Sequence, residues 1–340
     1  MRKAKVNIQQ IAELANVSPG TVSNALNNRP GVSEETKQKI LKLAEELGYE
    51  KKSNTQSAAQ GIRIIMYKRT GHILSDTPFF ANLIEGMQKQ CRAANYEMVV
   101  THISKGEDSE QQIKDLKYDK TAGYLVLATE MLDEDFMLFK DLGKPIVFMD
   151  SYFPRQPYNF VLINNVDGAY QATQHLIDNG HSKIGYLQSS VAINNFHYRK
   201  QGFIDALQDN NIPVNPDLWV SVRPTLDGAY QDTKEYLAKN NKPLPTAFFA
   251  DNDIIAFGAL SAFKEFGINV PKDLSIVGFD DMPYCEISDP KLSTIYVNKQ
   301  QFGAAAVKRL IDIIENHDTV KQKIEINTEL VIRNSVYKLK

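Results

Sequence analysis

Four small hydrogen-bonding side chains crowd one short stretch near the N-terminus: Thr21, Ser23, Asn24 and Asn27 in "SPGTVSNALN". Short neutral groups of this kind pair with base edges and phosphate oxygens, asparagine best of all with the N6/N7 edge of adenine. Three charged residues further along invite different chemistry. Asp150 closes "PIVFMD", Arg199 lies in "YRKQGF" and Asp253 follows "TAFFA". A carboxylate facing two adjacent hydroxyls, together with a guanidinium fork, grips a polyol or an anionic sugar.

Each group needs an element to hold it. Ser18 suits a helix N-cap and Pro19 the first helical position, where a missing N–H costs nothing. Val22, Ala25 and Leu26 then fall on one face, leaving the polar four off it. Upstream, Ile8, Ile11, Ala12 and Ala15 form a second stripe with Asn7 as cap. Only Asn16, Val17 and Ser18 separate the two helices, so they turn sharply on each other, as in a helix-turn-helix. A third helix starts at Ser33, with Glu34 and Glu35 at its positive end, shows Ile40, Leu43, Ala44 and Leu47 as its stripe, and stops at Gly48. From periodicity alone such a module serves equally well for protein docking.

Residues 51–61 are polar and carry no stripe, so they read as a linker. From residue 62 short apolar runs alternate with helical stretches: "IRIIM", a helix over 79–94, "YEMVV", a helix over 109–116, "GYLVL", a helix over 133–142, "PIVFM". The rhythm restarts with helix 167–179 and "KIGYL". It continues through helices 199–210, 228–240 and 253–266 and strands 219–222, 246–250 and 275–279. Repeated βα units predict parallel sheets covered on both faces, and their total length predicts two lobes around a cleft. Ligands in such sheets bind beyond the carboxyl ends of the strands, which is where Asp150 falls. Asp253 reads either as a ligand-binding carboxylate or as a plain helix N-cap.

With 43% hydrophobic and 24% charged residues in 340, the chain has the composition of an ordinary multidomain globular protein. Its net charge of −2 divides unevenly. Residues 1–60 hold nine lysines and arginines against six acids, giving +3 there and −5 in the rest, which suits phosphate contacts at one end only. Cys91 and Cys285 stand apart without ligand spacing and read as idle thiols in a reducing compartment. No apolar run reaches membrane-spanning length and no signal-peptide core opens the chain, so a cytoplasmic protein is expected. No G-x-G-x-x-G follows the first strand, no Walker A run occurs, and "DND" at 251–253 lacks the rest of a calcium loop. The chain is not expected to be an enzyme or to carry a cofactor or metal.

"NIQQIAELANVSPGTVSNALNNRPGVSEETKQKILKLAEELGY" resembles the DNA-binding headpiece of the lactose-repressor/galactose-repressor (LacI/GalR) family, and the resemblance continues over nearly all of the chain. It implies an all-α headpiece at 1–50, a hinge at 51–61, and a two-lobed α/β body of the periplasmic-binding-protein-like (type I) class at 62–340, with crossovers near 160, 290 and 320. It also implies a sequence-specific transcriptional regulator, a repressor, controlled by a sugar or sugar phosphate. As a homodimer it would bind a near-palindromic double-stranded operator, with no membrane partner. The DNA contacts carried over are Asn7, Ser18, Thr21, Ser23, Asn24, Asn27, Thr36 and Tyr49. Three departures matter. Pro19 and Gly20 stand where base-reading side chains are frequent, so sequence reading should rest mainly on Asn24. Ala58 replaces the hinge leucine that wedges the minor groove, and Lys51 replaces a proline, so weaker bending of DNA is expected. In the body, Arg199 matches the family's R-x-x-G-F arginine and Asp253 its N-D-x-x-A-x-G element. Phe79 and Phe80 match positions that offer rings to the ligand, one expected in the cleft and the other in the core. Arg69, His72, Asp76, His197 and Arg223 lie within reach of a ligand without an assigned role. Two alternatives stay open: a sensor whose head has drifted from DNA to a protein partner, and a catabolite-control regulator using a phosphoprotein corepressor.

Overall fold

The computed structural model describes residues 8–26, 32–47, 60–74 and 78–339, in two compact units that divide between residues 59 and 60. The first unit holds helices α1 Ile8–Ala15, α2 Pro19–Leu26 and α3 Glu34–Glu46. Their stripes converge as the spacing requires, with Ile11, Ala12, Ala15, Val22, Ala25, Ile40 and Ala44 forming one small core. Asn16 turns the chain between α1 and α2 at φ +58°, a region that asparagine tolerates better than most residues. Asn7, Asn27, Gly48, Tyr49, Lys51, Ala58 and Asp76 fall outside the described residues.

The second unit is α/β. Strands β1 Gln60–Lys68, β2 Tyr96–Ser104, β3 Gly123–Leu127, β4 Ile146–Met149 and β5 Asn159–Ile163 belong to the first lobe, with helices α4 Phe79–Ala93 and α5 Ser109–Asp115. The second lobe follows as α6 Asn165–Asp178, β6 Ile184–Ser189, α7 Asn194–Asp209, β7 Trp219–Val222, α8 Leu226–Lys239, β8 Ala247–Ala250, α9 Asp253–Glu265 and β9 Ser275–Val277. β10 Thr294–Val297 then leads to α10 Lys299–Asn316 and β11 Lys323–Ile326, and β12 Thr328–Val331 pairs antiparallel with β10. The first lobe's sheet runs β11-β5-β4-β3-β1-β2 and the second lobe's runs β7-β6-β8-β9. All pairings within these two sheets are parallel. Both faces are covered, so β3 and β8 are buried along their whole length. β11 borders β5, so residues after the second lobe complete the first one, and the chain passes between lobes three times.

Several boundaries differ from the sequence reading, these four among them. β1 starts at Gln60, inside the stretch read as linker, because Gln60 already pairs with Tyr96. Residues 133–139 form a 3-10 helix rather than an α-helix over 133–142. β9 ends at Val277, two residues before the expected end, where Gly278 leaves the sheet. α7 starts at Asn194, five residues before the expected start, so Arg199 lies in its second turn rather than at its opening. The asparagines at its head hid that first turn from an apolar-stripe reading.

α4 and α10 touch through their backbones. A Cβ on Gly86 would lie 2.2 Å from the Gln300 carbonyl oxygen, and one on Gly303 would lie 2.4 Å from that of Leu83. The last residues bind back onto the second lobe. Ser335 exchanges bonds with Ile276, and the His181 ring meets the Tyr337 carbonyl at 3.0 Å. Among the described residues no helix is long and apolar enough to cross a membrane.

Candidate functional site

Two surfaces collect the chemistry. In the headpiece, the Ser18 Oγ accepts the Thr21 backbone N–H at 3.1 Å, and the two hydroxyls lie 2.9 Å apart. Ser33 caps α3 in the same way, accepting from the Thr36 N–H at 3.3 Å, with hydroxyls 2.7 Å apart. Thr21 and Thr36 therefore help to build the caps, and their hydroxyls are already engaged. Val22 and Ala25 face the core, Pro19 and Gly20 are exposed, and Ser23 and Asn24 are half-buried. The Asn24 carboxamide has no hydrogen-bond partner among the described residues.

In the body, a cleft opens between the lobes. The first lobe contributes His72, Ile73, Phe79, Phe80, Thr129 and Asp150. The second contributes Ile193, Asn195, Phe196, Arg199, Pro224, Asn252, Ile254 and Asp280. Asp150 follows β4 at φ +68°, which turns its carboxylate across the strand end. Its two oxygens accept from Thr129 Oγ1 at 2.5 Å and Asn195 Nδ2 at 3.1 Å. The chain of bonds continues through Asn165 Nδ2 to Asn195 Oδ1 at 3.2 Å and Arg199 Nε to Asn165 Oδ1 at 2.9 Å. Arg199 then donates to the Asp251 carbonyl at 2.6 Å and to Asp280 Oδ1 at 3.1 Å. Its guanidinium lies over the Phe279 ring, 3.7 Å from the centroid. One polar chain thus runs from lobe to lobe across the floor of the cleft.

Burial dominates the electrostatics. It pushes the Asp150 carboxyl up to about 6 and also raises that of Asp280, while Arg199 pulls both back towards the charged form. Two carboxylates thus face one guanidinium, three of whose five N–H groups already have partners in the protein.

The expectation for Asp253 is corrected. Its carboxylate accepts from Thr294 Oγ1 at 2.6 Å, the Met282 N–H at 2.8 Å and Cys285 Sγ at 3.1 Å, wholly inside the second lobe. A Cβ on Gly278 would lie 2.2 Å from its Oδ1, so nothing else fits there. The helix cap is instead Asn252, which accepts from the Ile255 N–H at 3.0 Å and also lines the cleft. The division expected of Phe79 and Phe80 is corrected as well. Both border the cleft, edge to face at 5.2 Å. Of the residues without an assigned role, His72 lines the cleft, and Arg223 is exposed and paired with Asp232. Asp280, Asn195, Thr129, Asn252 and Phe196 were not singled out. Asp280 lies just past the end of β9, the sign that marked Asp150.

A helix-turn-helix head and a two-lobed body with a polar cleft define a ligand-responsive DNA-binding regulator, and comparison with known proteins narrows that class. Residues 7–52 match the model of the bacterial regulatory proteins of the lacI family, and residues 173–336 match the periplasmic binding protein-like domain. The HTH-type transcriptional repressor PurR of Mannheimia succiniciproducens is 33% identical over 98% of this chain and 99% of its own length. Among solved structures, a CelR–cellobiose complex superposes with a TM-score of 0.74 at 24% identity, over 97% of this chain and all of that one. A LacI family regulator from Enterococcus faecium with bound ribose gives 0.70 at 26% identity, over 83% of this chain and all of that one. The chain belongs to the LacI family: it is a transcriptional repressor with a ligand-binding body.

Proposed function

We propose that this repressor acts as a homodimer on a near-palindromic operator, reads it mainly through Asn24, and takes an uncharged sugar as its effector in the interlobe cleft. The observation that carries the effector reading is the pairing of Asp150 and Asp280 against the single guanidinium of Arg199. Carboxylates accept from the hydroxyls of a sugar, and Phe79, Phe80 and Phe196 offer rings to its C–H face. A phosphate would meet two carboxylates and two cations already engaged within the protein, Arg199 and Lys299, the latter held by the Asp280 and Asp281 carbonyls, so the cleft favours a neutral sugar over the sugar phosphates that the sequence left open. The ribose held by the Enterococcus regulator supports this reading. Effector and operator occupancy are coupled, and by linkage each alters the affinity of the other equally, typically by about 1–3 kcal/mol.

A thermal-shift panel tests the effector. Neutral pentoses and hexoses should stabilise the full chain, with about 2.7 kcal/mol added at a hundred times the dissociation constant. Hexose phosphates, uronates and flat heteroaromatic bases should not. Stabilisation by phosphates or bases alone would overturn the effector reading. Footprinting on the protein's own upstream region tests the DNA reading, where an inverted repeat should be protected at low salt.

A further inference from the structure

Glu130, three residues past β3, is almost fully buried, yet it touches neither a cation nor the cleft. Its carboxylate is wrapped by the segment that follows β1. Oε2 accepts the backbone N–H groups of Arg69 at 2.9 Å, Thr70 at 2.7 Å and Gly71 at 2.8 Å, and Oε1 accepts that of Ile73 at 2.9 Å. The Thr70 hydroxyl adds a fifth bond at 3.3 Å. Gly71 supplies the positive φ of +79° that lets successive N–H groups converge on one anion. Burial alone would push the Glu130 carboxyl up, but the four N–H groups outweigh it and hold it below its ordinary value. The segment so gathered carries His72 and Ile73, which line the cleft, and leads towards Phe79 and Phe80. The neighbouring Thr129 donates to Asp150 on the other side. One dipeptide therefore secures both parts of the first lobe's wall.

We infer that Glu130 is a positioning residue for the effector: it holds segment 69–73 as a preformed wall of the cleft, so ligand affinity depends on a carboxylate that never meets the ligand. The inference rests on the cleft being the effector site. Rigid side walls reduce the ordering that binding must impose. An amide at this position has one acceptor oxygen in place of two, and its NH₂ would face N–H groups. Arg69 stays anchored in either case through Asp135 and Glu134, so the release should be local.

The test is E130Q in the full chain, with two readouts. Hydrogen exchange without ligand should show the amides of 69–73 exchanging about tenfold faster or more, with β1 and β3 unchanged. Calorimetric titration with D-ribose, D-glucose and cellobiose should show about tenfold weaker binding of whichever sugar the wild type takes, at unchanged operator affinity. General destabilisation would instead speed exchange throughout β1 and β3 and weaken operator binding as well. Unchanged exchange at 69–73, or unchanged sugar affinity with faster exchange, overturns the inference. If none of the sugars binds the wild type, the effector reading fails, and the exchange result still decides whether Glu130 holds the segment. Should E130Q fail to fold, G71A strains the same turn with the carboxylate intact and should move both readouts in the same direction.

Discussion

Asn24 is half-buried on α2, off the core face marked by Val22 and Ala25, and its carboxamide takes no part in the cap built by Ser18 and Thr21. N24A should therefore cost about 1–3 kcal/mol of operator affinity and relax preference at one base step, measured by gel shift on operator variants. An equal loss on specific and random DNA would make Asn24 a backbone contact instead. At this scale the sequence was informative where a residue type has few uses. The two cap serines, Asp150 at a strand end and Arg199 before Gly202-Phe203 were all legible. Asp253 misled because strand-end carboxylates look alike on paper, and only the path of Gly278 shows which side of the strand it faces. Asn195 and Asn252 were hidden because an asparagine that caps a helix and one that lines a cleft have the same local signature.

Elements were easier to foresee than their contacts. The parallel strands, their order within each βα unit and the three headpiece helices follow from apolar period, capping serines and asparagines, and glycine stops. The meeting of α4 with α10 does not, because the two lie more than two hundred residues apart and touch through glycines that carry no hydrophobic signal. G86A would push a methyl group into the Gln300 carbonyl, which is backbone and cannot turn aside. Overpacking of this kind should lower the unfolding free energy by about 1–3 kcal/mol or more, read from urea denaturation. A neutral outcome would mean that the helices separate freely. The pairing of β11 with β5 was equally out of sight, since its alternating exposed residues resemble any surface strand.

At the scale of the whole molecule, the body buries an unusual set of acids. Burial pushes Asp150 up to about 6 and Asp251 and Asp253 up to about 7. A carboxyl raised by folding adds stability that is complete below its ordinary value of 3.8 and is lost as pH rises through the folded value. His175 and His181, lowered by burial, act in the opposite sense: their contribution is present above 6.5 and is lost as pH falls. The melting temperature of the full chain should therefore climb as pH falls from about 7 towards about 4, less steeply below 6.5 where the two histidines oppose it, as differential scanning calorimetry would show. A flat or falling trace over that interval would mean that these acids stay ionised and hydrated.

The threefold passage of the chain between lobes has a consequence for synthesis. Chains leave the ribosome N-terminus first, so the headpiece core is complete by Leu47, whereas the first lobe lacks an edge strand and a covering helix until α10 and β11 have emerged. The nascent protein thus holds a finished DNA reader long before it holds a finished sensor. A message cut short ahead of Lys323 would encode the headpiece core whole and the first lobe's sheet without its β11 edge.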